Sequence, residues 1–180
     1  MSSTGDLTSF SYVILVLVGE GGAGPHDLVR MMRQGAFAYW HASQSQFYAE
    51  PKRLERLGYL TSAKRPGRTH QRTEYRLTDS GREALRTWVA TPAAPPRVQL
   101  EGVVRLLAAE WADDAAVLEG LRGLRGEIAA GRAWLERAAE IEPTLPERER
   151  ALRLNRRLAS RMLDAQEAWL DEVEAEFGPA

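Results

Sequence analysis

The 180-residue sequence contains no cysteine. Without thiols there are no disulfides, no cysteine-based zinc site and no thiol nucleophile, and a cytoplasmic location is the expectation that fits. Histidine is scarce. His26, His41 and His70 are the only three, and none has a second histidine at i+3 or i+4, so neither a metal nor a cofactor is expected. His41 and Ser43 are neighbours, but no acid and no glycine-framed nucleophile turn accompanies them. P-loop and dinucleotide fingerprints are missing too, so the chain does not read as an enzyme. Long hydrophobic runs are also lacking. The longest, Tyr12 to Val18, falls far short of the ~20 residues that span a bilayer. It has no cationic leader or small-residue cleavage site, so it reads as a buried helix and no membrane partner is expected.

What is present is ordinary for a soluble globular chain: 44% hydrophobic and 27% charged residues, enough for one or two small domains. The net charge of −1 hides an asymmetry. Residues 1–92 hold 12 Lys/Arg and 8 Asp/Glu, whereas residues 93–180 hold 12 and 17. Between positions 52 and 76 stand eight cations (Lys52, Arg53, Arg56, Lys64, Arg65, Arg68, Arg72 and Arg76) and only two acids, Glu55 and Glu74. A basic stretch inside a neutral chain is what a localised phosphate-binding surface requires, although a solvated charged face has the same composition.

Three prolines in Thr91-Pro-Ala-Ala-Pro-Pro96 interrupt any helix, and they set the expected boundary between domains at 1–92 and 93–180. The first domain reads as helix, helix, helix, hairpin, helix. Thr8 or Ser9 caps the first helix, and Gly19, Gly21 and Gly22 end it. Pro25 opens the second, with Asp27 in its first turn and Gly35 as its stop. Ser43 and Gln46 have capping-box spacing for a third helix that ends near Gly58. Tyr59 to Lys64 and Thr73 to Thr78 read as strands joined by an arginine-bearing turn, Arg65 to Arg72. Thr78 caps a fourth helix with Leu85, Trp88 and Val89 as its core face.

The second domain reads as helix throughout. Leu100, Val103, Val104, Leu107 and Trp111 form one stripe. Val117, Leu121, Leu124, Ile128, Gly131, Leu135 and Ala138 recur by steps of four and three, which is a heptad seam in a single long helix. Pro143 and Pro146 break the chain before a last helix carrying Leu154, Leu158, Met162, Ala165, Trp169 and Val173. Two helices of such length exceed what the first domain can cover. A second copy is therefore expected to bury Val117, Leu121, Leu124, Ile128, Leu135, Leu158, Met162, Trp169 and Val173. Gly120, Gly123 and Gly126 weaken the middle helix, by about 1 kcal/mol each, which calls for tight packing or a bend. Trp88, Trp111, Trp134 and Trp169 fall on apolar stripes and read as core or interface, and Trp40 is placed beneath the third helix.

The third helix carries the sharpest signal. With Phe47 inward, a 100° step turns Pro51, Leu54 and Gly58 inward as well. Ser45, Ala49, Lys52 and Arg56 then share the opposite stripe, flanked by Tyr48 and Arg53. Small, polar and cationic residues on one side of a helix suit the DNA major groove, where Lys and Arg reach guanine or phosphate and Ala meets a thymine methyl. The neighbouring hairpin adds Lys64, Arg65, Arg68 and Arg72 as a cationic wing. The competing reading is a protein–protein module whose basic stripe meets an acidic partner.

Three segments together, Leu7 to Leu15, Phe47 to Leu60 and Thr73 to Leu85, resemble the PadR family of regulators over residues 7–90. Beyond that the similarity rests on helical character and the late Trp169-Leu170 pair, as in the family's variable dimerisation domain. The resemblance implies a mainly α fold: a winged helix-turn-helix with a small β-hairpin wing, followed by an all-helical, coiled-coil-like C-terminal domain. It further implies a homodimeric transcriptional repressor that binds a double-stranded DNA operator and is released by a small-molecule effector. Two positions depart from the family pattern. Pro51 stands where members carry leucine, and Gly24-Pro-His-Asp27 replaces a Gly-Tyr pair. Pro51 has no N–H for the Phe47 carbonyl, so the third helix is expected to kink there or to start late with Glu50 as its cap.

Overall fold

In the computed structural model, which describes residues 6–32, 40, 42–66, 71–96, 98–141 and 146–179, the chain divides into two units, Met1–Ala94 and Pro95–Ala180. Gly35, His41, Gly67, Arg68, His70 and Pro143 lie outside the described residues.

The first unit is built around α1 (Ser9–Val18). Thr8 and Ser11 cap it reciprocally: the Thr8 N–H donates to Ser11 Oγ at 2.9 Å and the Ser11 N–H to Thr8 Oγ1 at 3.2 Å. Gly19, with φ of 51°, ends it. Tyr12, Ile14, Leu15, Leu17 and Val18 are all buried, so this helix is the hub of the core rather than a surface element. Around it pack α2 (Pro25–Met31), α3 (Gln44–Arg56) and α4 (Asp79–Val89).

β1 (Leu60–Arg65) and β2 (Arg72–Leu77) pair antiparallel, with Leu60 opposite Leu77 and Arg65 opposite Arg72. Near the core end Leu60, Tyr75 and Leu77 are buried. Toward the other end Ala63, Lys64 and Arg65 are exposed, so the hairpin leaves the core as a wing. Ala23 adds a one-residue antiparallel bridge to Tyr75, with N–H···O distances of 3.0 and 2.9 Å. Gly24 fits beside it because a Cβ there would lie 2.7 Å from the Thr73 carbonyl oxygen. Thr78 caps α4: its Oγ1 accepts from the Gly81 N–H at 3.1 Å and donates to the Gly58 carbonyl at 2.7 Å. The α4 core face is narrower than its sequence implies. Ala84 is buried, Trp88 stacks on Tyr12 at 4.6 Å between ring centroids, and Val89 is exposed.

The second unit contains α5 (Glu101–Leu107), a 3₁₀ turn (Ala109–Trp111), α6 (Asp114–Leu121), α7 (Gly123–Ile141) and α8 (Glu149–Phe177). The single long helix expected from the heptad seam is two, divided at Arg122 between Gly120 and Gly123. Packing among the described residues of a single chain does not explain those glycines. A Cβ at Gly123 or Gly126 would meet open space, whereas one at Gly131 would touch the Leu163 side chain at 3.1 Å.

The seam also packs differently from expectation. Val117, Leu121, Ile128, Leu135 and Val173 are buried within the single chain, and Leu124 and Trp169 lie partly buried against them. α8 folds back on α6 and α7 and supplies the cover that the sequence pattern assigns to a second copy. Two ion-pair clusters with the same seven-residue spacing fix the α7–α8 register. Arg125 pairs with Asp171 and Glu174, and Arg132 pairs with Asp164 and Glu167.

Candidate nucleic-acid interface

α3 is continuous across Pro51 and begins at Gln44, so the late start at Glu50 does not occur. Ser43 precedes it, and its N–H donates to Gln46 Oε1 at 2.8 Å. Phe47, Pro51 and Leu54 are buried, which explains the proline: its ring fills a core position at the helix's inner face. Gly58, expected on that same face, is exposed instead and ends the helix region with φ of 81°.

The opposite stripe, Ser45, Ala49, Lys52 and Arg56, is exposed along its whole length. Tyr48 is half-buried beside it, its hydroxyl 3.1 Å from Nδ1 of His26 on α2. Both acids of the helix leave this face clear. Glu50 accepts from Ser11 Oγ at 2.7 Å, and Glu55 accepts from Ser62 Oγ of β1 at 2.5 Å. The exposed stripe therefore keeps Lys52 and Arg56 without an acid on it.

Arg53 behaves otherwise than its sequence position implies. Its Nε and Nη2 donate to the two Glu50 oxygens at 2.9 and 2.7 Å, and its Nη1 donates to the Asp6 carbonyl at 2.9 Å. The reason is local: Glu50, one turn earlier, presents a fixed carboxylate to the guanidinium fork. Burial alone would raise the Glu50 carboxyl, but hydrogen bonds from Arg53 and Ser11 and the guanidinium charge outweigh it, holding the group below the ordinary carboxylate range.

On the wing, Lys64 Nζ donates to Thr73 Oγ1 at 3.0 Å, and Arg65, Arg72 and Arg76 gather around Glu74. The Arg76 hydrogen bond is the main reason the Glu74 carboxyl lies below its usual range, and Arg65 and Arg72 add to it. Arg65 and Arg72 remain exposed, and Arg68 lies outside the described residues. The Ala23 bridge and the inward turn of Arg53 were not read from the sequence. A lone bridging residue has no strand pattern, and an arginine looks the same whether its partner is a phosphate or a neighbouring carboxylate.

Among the described residues no three His, Asp or Glu side chains group to hold a metal, and no helix is long and apolar enough to cross a membrane.

A helical bundle with an exposed third-helix face and a two-stranded wing defines the first unit as a winged helix-turn-helix. Residues 14–87, which lie within this first unit, match the model of the transcriptional regulator PadR-like family. The negative transcriptional regulator PadR of Bacillus subtilis (strain 168) is 32% identical over 79 residues, which span 43% of each chain. The crystal structure of Bacillus subtilis PadR with operator DNA matches with a TM-score of 0.76 at 20% identity, covering 94% of this chain and 99% of that one. Its crystal structure with p-coumaric acid matches at 0.69 and 21%, with coverage of 94% and 99%.

Proposed function

We propose that the chain is a sequence-specific DNA-binding repressor that acts as a homodimer and lets go of its operator when a small molecule binds. The observation that carries this reading is the α3 stripe: Ser45, Ala49, Lys52 and Arg56 face outward while both acids of the helix turn inward. Cations and small residues on one exposed helix face suit the major groove, and Lys64, Arg65, Arg68 and Arg72 of the wing suit phosphates beside it. In this reading residues 1–92 bind DNA and residues 93–180 hold the dimer together.

The dimer rests on apolar surface that one chain leaves open. Leu107, Trp111, Leu154, Leu158 and Met162 are exposed, and exposed apolar residues in such number mark an interaction surface. The small-molecule step rests on likeness to the PadR-like family and on the Bacillus subtilis PadR complex with p-coumaric acid. Repression rests on the negative regulator that this chain resembles in part.

The test uses a duplex enriched from random DNA by the wild-type chain, with a scrambled duplex as control. Lys52→Ala should cost about 1–3 kcal/mol on the enriched duplex and relax one base position per half-site. Arg56→Ala should weaken both duplexes by a similar factor, as a phosphate contact does. Failure to enrich any sequence would instead favour an acidic protein as the partner of the stripe.

A further inference from the structure

Pro51 sits in the middle of α3 and leaves the Phe47 carbonyl without its helical N–H partner, a known place for a helix to hinge. The residues on either side of this gap are tied to one anchor. Glu50 precedes Pro51 and Arg53 follows it, and both reach Ser11, at 2.7 Å from Glu50 Oε1 and 2.9 Å from Arg53 Nη2. Ser11 is fully buried and is itself held by the Thr8 cap of α1, its Oγ 3.0 Å from Thr8 Oγ1. A further bond from Arg53 to the Asp6 carbonyl reaches the segment before α1. The Glu50 side chain is only 14% exposed and that of Arg53 31%.

We infer that Arg53, with Glu50 and Ser11, is a positioning group: it fixes the rotation of α3 on α1 across the Pro51 gap and so decides which base edge Lys52 meets. The inference rests on the DNA-binding reading above and differs from the assignment of Arg53 to the DNA contacts themselves. Guanidinium geometry is essential to this role. A lysine keeps the charge but cannot bridge both Glu50 oxygens, Ser11 and the Asp6 carbonyl at once. A phosphate contact would tolerate lysine well, since only charge is needed there.

The experiment measures binding of the full chain to the enriched and the scrambled duplex over a range of salt, well below the melting temperature of each variant. Arg53→Lys and Arg53→Gln are both expected to lower the ratio of the two affinities about tenfold, with the salt dependence on the scrambled duplex unchanged. Ser11→Ala removes one hydroxyl from the network and should give a smaller fall in the same ratio, which keeps the question open to test if the arginine variants fold poorly. The inference is overturned if Arg53→Gln reduces the salt slope by about 0.9 per protomer while Arg53→Lys is silent, the signature of a phosphate contact. It is equally overturned if melting temperatures fall and the affinity ratio does not. A wild-type chain that prefers neither duplex removes the DNA reading and this inference together, whereas a discriminating wild type with unaffected variants removes the inference alone.

Discussion

Leu54 of α3 and Leu154 of α8 lie on similarly amphipathic helices, yet the first has no exposed surface and the second keeps 53%. The contrast holds for their units. In the first, fifteen buried hydrophobic residues among those described gather in one cluster around α1, and helices and hairpin close over it from several sides. The second has a thinner core along the α6–α8 and α7–α8 contacts, while Val98, Val103, Val104, Leu107, Trp111, Leu154 and Leu158 stay exposed. A helical hairpin buries one face of each helix and leaves the others to solvent unless something else covers them. One unit closes its core within a single chain, with Val16, Trp88 and Val89 its exposed large hydrophobics among the described residues. The other has apolar surface left to give.

The strongest way to break this comparison is to make the same change in both units. Leu54→Ala removes a fully packed side chain and should cost about 2–5 kcal/mol, because a cavity adds to the lost transfer energy. Leu154→Ala, measured in dilute protein where any self-association is lost, should cost less than about 0.5 kcal/mol. Urea unfolding of both variants checks the pair. Similar costs would mean that Leu154 is packed within its own chain.

Charge placed on the open face sharpens the same contrast. Leu154→Asp combined with Leu158→Asp leaves the core residues Val117, Leu121, Ile128 and Val173 untouched. It should convert a dimer at micromolar concentration to a monomer in sedimentation. DNA binding should weaken about a hundredfold, since two linked half-sites no longer share an effective concentration. A chain that stays dimeric would move the interface elsewhere, with α5 and Trp111 the next surface to charge.

Sequence periodicity read the two units with unequal success, and the reason is the same contrast. The Ser43–Gln46 pair acts over three residues, so spacing alone locates it, whereas spacing leaves the cap of α1 between Thr8 and Ser9 and does not single out Ser11 as the partner of Thr8. The inward set Phe47, Pro51 and Leu54 and the outward set Ser45, Ala49, Lys52 and Arg56 also follow from one helical step. The seam from Val117 to Leu135 was equally visible as a seam. Periodicity, however, reports that a face is apolar and not which chain covers it, and here α8 of the same chain does. The division at Arg122 falls inside an unbroken heptad pattern. Arg53, though paired with Glu50 one turn earlier, is also held by Ser11 and the Asp6 carbonyl, contacts distant in sequence that no local pattern records.

The smallest expected effect compares two carboxylates held in ion pairs, one in each unit. Glu174 lies below the ordinary carboxylate range mainly through its hydrogen bond from Arg125, and it stands in solvent. Glu50 lies below that range despite its burial, through Arg53 and Ser11. A carboxylate whose folded pKa is depressed adds stability above its unfolded value, about 4.3 for Glu, and loses it as pH falls through the folded value. Both units should therefore weaken on acidification from that point downward. Salt separates them, because an exposed pair is screened and a partly buried one much less so. Glu174→Gln should flatten the acid loss of stability at low salt and do nothing at about 0.5 M salt. Glu50→Gln should lower stability at neutral pH and flatten the acid loss at both salts. Urea unfolding on either side of the transition measures all four cases. If the Glu50→Gln effect also vanished in salt, the α1–α3 tie would be a surface pair with no more hold on α3 than Arg125 has on α8.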